Sequence, residues 1–217
     1  VLYRPELLPR TRYIADHKGL PLSRTPAEQA AWAAMLGRAE ILWDLPAAED
    51  LAACARLRWV QTTSTGVGRA VAQLGLAPSV LVTTARGVHA QPLAEFVFMA
   101  LLAHWRGLRH LEAEQRAHRW IRYCGPGVAG RTLVLIGAGD LARGCATLGR
   151  AFGLRIIAVA RDASRPRAHN GLFDEIVPVS AMHAALARAD AGVATVPHTP
   201  ATENLLDAAA FAAFRPG

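Results

Sequence analysis

Residues 131–162 read RTLVLIGAGDLARGCATLGRAFGLRIIAVARD and hold the spacing that bears most directly on chemistry. Gly137-Ala138-Gly139-Asp140-Leu141-Ala142 is G-x-G-x-x-A, a pattern that cradles a pyrophosphate when it joins a strand to a helix within one βαβ unit. Gly137 permits the sharp turn, Gly139 leaves the backbone bare so that a phosphate can come close, and Ala142 lets the helix lie tightly on the strand. The free N–H groups and positive dipole end of a helix opened by Asp140 and Leu141 then face the anion. The flanks agree with this reading. Residues 133–136 are a short apolar run, Leu141, Cys145, Leu148 and Phe152 repeat at helical spacing, Gly153 closes the helix, and 154–159 are a second apolar run.

Cofactor choice is readable in the same stretch. NAD-preferring proteins place Asp or Glu about 20 residues past the turn, where it bonds the ribose 2′-hydroxyl. Here that place holds Ala160, followed by Arg161, with Arg165 and Arg167 close behind. A carboxylate at that place would repel a 2′-phosphate, and its absence there beside guanidinium groups accommodates one, so NADP(H) is expected to be favoured over NAD(H).

The 217 residues are 52% hydrophobic with a mean hydropathy of +0.19, enough to bury a core in one large domain or two small ones. The net charge of +7 is carried almost wholly by arginine, Lys18 being the only lysine. The arginines are scattered and no nucleic-acid motif surrounds them, so they read as an arginine-rich compositional bias with a solvated basic surface and no nucleic-acid partner; a field that favours anionic cofactors and substrates is compatible with that reading. Cys54, Cys124 and Cys145 are odd in number and match no metal spacing; they read as core residues of a reducing, cytoplasmic setting with no metal. No signal peptide opens the sequence and no apolar run reaches membrane-spanning length.

The elements that must position these residues alternate. Thr25-Pro26-Ala27-Glu28 is a capping box with proline at the first helical position, opening a helix to about Leu36. Strands are expected at residues 12–15, 40–43, 57–61 and 80–83, with a helix at 47–54. Gln91-Pro92 starts a long helix that places Leu93, Val97, Ala100 or Leu101, His104, Leu108 and Leu111 on one face and runs on toward Arg119. Past the glycine turn come strands at 154–159, 176–177 and 191–196, a helix near 180–188, and a helical stretch at 203–214. This pattern predicts an α/β fold in two lobes, a flavodoxin-like lobe over 1–90 and a Rossmann-type dinucleotide lobe over 91–217, with ligand held between them.

Five further stretches complete the reading: Leu57-Arg58-Trp59-Val60-Gln61 leading to Ser64-Thr65-Gly66-Val67; Arg86-Gly87-Val88-His89-Ala90-Gln91-Pro92-Leu93-Ala94-Glu95; Trp120; Val196-Pro197-His198-Thr199-Pro200-Ala201-Thr202; and Leu205-Leu206 with Phe214-Arg215-Pro216-Gly217. Together they resemble the D-isomer-specific 2-hydroxyacid dehydrogenases. The resemblance implies that Thr65, Gly66 and Val67 dock the substrate carboxylate, and backbone N–H groups there can form the required nest. It implies that Val196, Pro197, His198 and Thr202 line the cofactor where a parallel strand ends, His198 without a catalytic part. The implied reaction is hydride transfer between NAD(P)H and a small anionic 2-oxo or D-2-hydroxy acid, as in a glyoxylate/hydroxypyruvate reductase, with an arginine on the carboxylate and a histidine–glutamate pair moving the proton. A homodimer through the long helix is implied for the full-length protein. A non-enzymatic, dinucleotide-sensing corepressor-like protein of the same fold is the alternative. An unrelated Rossmann protein such as a methyltransferase shares the turn but not the stretches at 64–67 and 86–95.

Three residues depart from the family pattern: Asp140 stands where arginine is frequent, Thr84 where many members have asparagine, and Gly68 where many have aspartate. The catalytic arginine, glutamate and histidine have no counterpart in this sequence and are expected beyond Gly217, and the family's first strand and helix are expected before Val1. The sequence is thus expected to be an internal piece of a longer protein, inactive by itself. Its nucleotide sheet would be incomplete, with 133–136 as an exposed apolar edge strand.

Overall fold

A computed structural model describes residues 1–13, 16, 19–162 and 171–216. The chain divides into two compact units, Val1–Arg86 and Gly87–Gly217.

In the first unit, β1 (Ile41–Trp43), β2 (Trp59–Gln61) and β3 (Leu81–Thr83) form a parallel sheet in that order. The helix α1 (Pro26–Arg38) begins at the capping box: Glu28 N donates to Thr25 Oγ1 at 3.3 Å and Thr25 N to Glu28 Oε2 at 2.7 Å. It runs to Arg38, past the expected end near Leu36, because Leu36 anchors the last turn in the core at 3% exposure. The helix expected at 47–54 is a 3₁₀ helix, Ala48–Ala53, tied to α1 by Trp32 Nε1 donating to Asp50 Oδ2 at 2.8 Å. A short helix that the sequence pattern did not reveal, α2 (Gly68–Leu74), starts on a glycine without a side-chain cap. Arg12 and Tyr13, expected in a strand, lie in a bend where Arg12 pairs with Asp16; Ile14 and Ala15 fall outside the described residues.

In the second unit, β4 (Thr132–Ile136), β5 (Arg155–Ala160), β6 (Glu175–Pro178) and β7 (Ala191–Ala194) form a parallel sheet in the order β6-β5-β4-β7. The expectation that 133–136 would be an exposed edge is therefore wrong. After β6 the chain crosses back over β5 and β4, so β7 pairs on the far side of β4 and takes the edge itself. Leu133, Val134 and Leu135 are fully buried. Leu133 and Leu135 pack into a layer with α3 (Ala90–Trp105) and α5 (Asp140–Ala151); Val134 and Ile136 pack into the opposite layer with α6 (Met182–Leu186) and α7 (Ala208–Ala212). That burial on both faces is why the strand reads as a continuous apolar run.

Two helices differ from expectation. The long helix breaks at Gly107, where φ is +68° and the Tyr123 hydroxyl occupies the place of a side chain; α4 (Leu108–Arg116) then starts anew. The inner face of α3 is Ala94, Phe98 and Trp105, while Leu93, Leu108 and Leu111 are exposed. The helix is apolar almost all round, so periodicity does not choose its face. Packing against α5 does: a Cβ on Gly144 would lie 3.0 Å from Ala90 O and 3.3 Å from Ala94 Cβ. The helix expected at 203–214 is confined to α7, because Asn204 adopts φ +54° and Asp207 caps a fresh start by accepting from Ala210 N at 2.8 Å. Among the described residues no helix is long and apolar enough to cross a membrane.

Candidate functional site

The glycine turn sits between β4 and α5. Gly137 N donates to Val159 O at 2.8 Å, so pairing with β5 continues into the turn. At Gly137 φ is +115°, and a Cβ would lie 2.6 Å from Thr195 Oγ1 and 3.2 Å from Val196 Cγ1. Thr195 is itself held, its N and Oγ1 donating to Ile136 O at 2.9 and 3.0 Å. Gly139 is the opposite case: its φ is −81°, and no atom of the described residues lies within 4 Å of where a Cβ would be. The first hydrogen bond of α5 is Arg143 N to Gly139 O at 3.0 Å. The amides of Asp140, Leu141 and Ala142 precede it and lack the usual acceptor one turn back. Ala142 is fully buried, as the close helix–strand approach requires. Asp140 Oδ2 lies 4.0 Å from where a Cβ on Gly87 would be, so this carboxylate is turned toward the start of α3.

Two other segments reach the same sheet edge. β5 ends at Ala160, only 9% exposed, and Arg161 follows in solvent. Asp162 is next to it, an acid of opposite sign that the sequence reading passed over. Arg165 and Arg167 lie outside the described residues. Beyond β7, Thr202 Oγ1 donates to Pro197 O at 2.7 Å and accepts from Thr199 N at 2.8 Å, which locks the turn at 197–202. His198 Nε2 lies 3.1 Å from Glu203 Oε2, both side chains largely in solvent. A cavity of about 320 Å³ opens against Ile136, Ala194, Val196, Thr202, Leu205 and Leu206. The fold thus gathers Gly137, Gly139, Asp140, Leu141, Ala142, Arg161, Val196, Pro197, His198 and Thr202 at the carboxyl ends of β5, β4 and β7, the edge at which open parallel sheets bind ligands.

Thr65, Gly66 and Val67 belong to the first unit, between β2 and α2. Thr65 and Gly66 are exposed, and a Cβ on Gly66 would meet nothing within 4 Å among the described residues. Their loop hangs on Thr62, a fully buried threonine that sequence reasoning missed; its Oγ1 donates to Ser64 O at 2.7 Å and its N to Thr83 O at 2.9 Å. Thr63 Oγ1 donates to Asp44 Oδ2 at 2.7 Å. The only signal was a run of hydroxyl residues, 62–65, which does not tell a buried member from an exposed one. Gly144 was also missed, since a glycine inside a helical pattern reads simply as a weak helix position. Beneath the glycine turn, burial pushes the Cys145 thiol up to about 11.

Residues 98–217 match a family model described as D-isomer specific 2-hydroxyacid dehydrogenase, NAD binding domain. The D-3-phosphoglycerate dehydrogenase of Mycobacterium leprae is 32% identical over 172 residues, covering 78% of this chain and 32% of that protein. A D-isomer specific 2-hydroxyacid dehydrogenase family protein from Aeromonas salmonicida superposes with a TM-score of 0.77 at 29% identity, covering 87% of this chain and 60% of that one. The NADPH-dependent glyoxylate/hydroxypyruvate reductase of Sinorhizobium meliloti, solved with NADP and sulfate, gives 0.68 at 25% identity, covering 80% and 53%. The chain spans about a third of the length of the curated relatives it matches.

Proposed function

The chain belongs to the D-isomer specific 2-hydroxyacid dehydrogenase family, and from that premise we propose that the full-length protein is an oxidoreductase that moves a hydride between NADP(H) and a small 2-oxo or D-2-hydroxy acid. The observation that carries this reading is the bare Gly139 at the head of α5, with first-turn amides and the exposed Arg161 on the same sheet edge. A dinucleotide fits that cradle: the backbone is open where a phosphate must approach, and Asp140 is turned toward Gly87. When bound, the cofactor's nicotinamide supplies or accepts the hydride. The chain's own part is placement. Amides of Asp140, Leu141 and Ala142 bind the pyrophosphate, and Arg161 binds the 2′-phosphate. Val196 and the neighbouring turn at Pro197, His198 and Thr202 wall the cofactor on its apolar side and exclude water. Amides at Thr65, Gly66 and Val67 hold the substrate carboxylate.

Glyoxylate and hydroxypyruvate are the substrates to try first, because the reductase from S. meliloti carries that name. The stripe of exposed Leu93, Phe96 and Met99 on α3 supports a homodimer, which light scattering of the full-length protein tests. For the cofactor, calorimetric titration should give NADPH the lower dissociation constant. Ala160→Asp should weaken NADPH binding on the order of tenfold while leaving NADH unchanged or improved, the effect of placing one repelling charge beside a phosphate. Tighter binding of NADH by the unaltered protein would overturn the preference.

A further inference from the structure

Asp44 follows β1 in a backbone state that residues with a side chain seldom adopt. Its φ is +72°, in the left-handed region that glycine enters freely. The chain takes this turn while still bonded to the sheet: Asp44 N donates to Gln61 O at 2.7 Å, one step past the Trp43–Gln61 pair that ends the β1–β2 ladder. Each carboxylate oxygen has a partner. Oδ1 accepts from Leu45 N at 2.9 Å, and Oδ2 accepts from Thr63 Oγ1 at 2.7 Å. A left-handed residue other than glycine persists because its surroundings hold it, and such residues gather where the backbone serves a function.

Thr63 is the middle one of three consecutive residues tied down just ahead of 65–67. Thr62 O accepts from Gln61 Nε2 at 2.9 Å. Gln61 is oriented in turn by Thr83 Oγ1, which donates to Gln61 Oε1 at 2.7 Å and accepts from Trp59 Nε1 at 2.7 Å. Ser64 O accepts from Thr62 Oγ1 at 2.7 Å. Residues 62 and 64 are thus gripped by carbonyl oxygens, which every residue offers. The tie at 63 is different: it needs a hydroxyl on one side chain and an acceptor on the other. Asp44, Thr63 and the loop they enter all belong to the first unit. The Asp44 carboxylate has no donor to offer an anion and would repel one, so its part is to hold Thr63 and not to bind substrate.

We propose that Asp44 is a positioning residue for the substrate-carboxylate loop: through Thr63 it fixes the direction of the amides at Thr65, Gly66 and Val67, and so sets the affinity for the 2-oxo acid without touching it. This rests on the reading of 65–67 as the carboxylate dock. The test uses the full-length protein with glyoxylate. Thr63→Val keeps the shape and removes the hydroxyl; it should raise KM for glyoxylate about tenfold, leave kcat within about twofold and leave NADPH affinity unchanged. Thr63→Ser should restore KM. Asp44→Gly keeps the left-handed backbone and removes both acceptor oxygens, and should raise KM by a similar factor, which a purely conformational role for Asp44 would not produce. Thr63→Val covers the case in which Asp44→Gly disturbs folding. Hydrogen–deuterium exchange across 62–67 should quicken in Thr63→Val and Asp44→Gly but not in Thr63→Ser, a readout that needs no turnover. Unchanged exchange or unchanged KM in Thr63→Val, or a Thr63→Ser variant as weak as Thr63→Val, would overturn the role of Asp44. If the unaltered protein reduces neither glyoxylate nor hydroxypyruvate, the function proposed above fails by itself, and exchange alone decides whether Asp44 holds the loop.

Discussion

The two parallel sheets of this chain bury their strands very differently. In the second unit, β4 has a strand on either side and helices over both faces, and Leu133, Val134 and Leu135 lose all contact with solvent. In the first unit the strands are three residues long, and Ile41, Trp43 and Leu81 remain 57%, 77% and 60% exposed. The register places Ile41, Trp59 and Leu81 side by side, with Trp43, Gln61 and Thr83 two residues on, so the large exposed side chains share one face. The inward row is Leu42, Val60 and Val82, of which Val60 is fully buried. Apolar residues in a strand therefore predict burial only where other elements supply a cover for each face. Most of the measurable packing energy should reside in the second unit.

The comparison breaks most visibly in the cores. Leu135→Ala removes a fully enclosed side chain and should cost about 3 kcal/mol in chemical denaturation. Leu81→Ala, on the open face, should stay within about 0.5 kcal/mol. A loss above about 1.5 kcal/mol at Leu81 would show that its face is covered in solution.

The next largest contrast lies within the glycine turn. Gly137→Ala forces a Cβ against Thr195 in a backbone conformation that favours glycine, and should destabilise by about 2 kcal/mol. Gly139→Ala meets no atom among the described residues and should leave stability within about 0.5 kcal/mol, while NADPH affinity falls by on the order of tenfold. Equal melting temperatures for the two variants would contradict the geometry.

Acid sharpens the comparison from the side of the first unit. The Arg12 guanidinium, helped by the amides of Arg12 and Gly19, holds the buried Asp16 carboxyl well below the usual carboxylate range. A carboxyl lowered in the folded state contributes stability at neutral pH and loses it as pH falls through and below the unfolded value of about 3.9. Asp16→Asn should lower the melting temperature at pH 7, with the gap from the unaltered protein narrowing toward pH 3. A gap that stays constant would exclude this linkage.

The smallest effect is on thiol chemistry. Cys124 is exposed, against the expectation that all three cysteines lie in the core, whereas Cys54 and Cys145 are buried, with burial raising both thiols. At pH 8 a disulfide reagent should modify one thiol of three quickly and the other two only on unfolding. Fast labelling of Cys145 would mean that α5 opens readily.

What could be read locally was legible. The capping box at Thr25 and Glu28 and the turn at Gly137 and Gly139 depend on residues a few positions apart, and both stand where the sequence places them. The position of β4 was not legible, because strand order depends on how the chain crosses the sheet after β6, and no local pattern encodes that path. The inner face of α3 was lost for a related reason: Leu93 and Ala94 are both apolar, and the choice between them is made by Gly144 on another helix. Within the candidate site, the Gly137–Thr195 contact could not be foreseen, since 58 residues separate its partners in sequence. Thr62 was invisible among neighbouring hydroxyls.

Gly137 and Gly139 belong to one fingerprint but are maintained by different demands. Thr195 stands where a side chain at 137 would go, so any descendant that keeps this strand order must keep that glycine, whatever it binds. Among the described residues nothing presses on position 139. A lineage that retained the architecture but gave up dinucleotides could drift freely there. When paralogues of this chain are sorted into binders and non-binders, the residue at 139 should therefore carry the information, and the residue at 137 should report only shared ancestry of the fold.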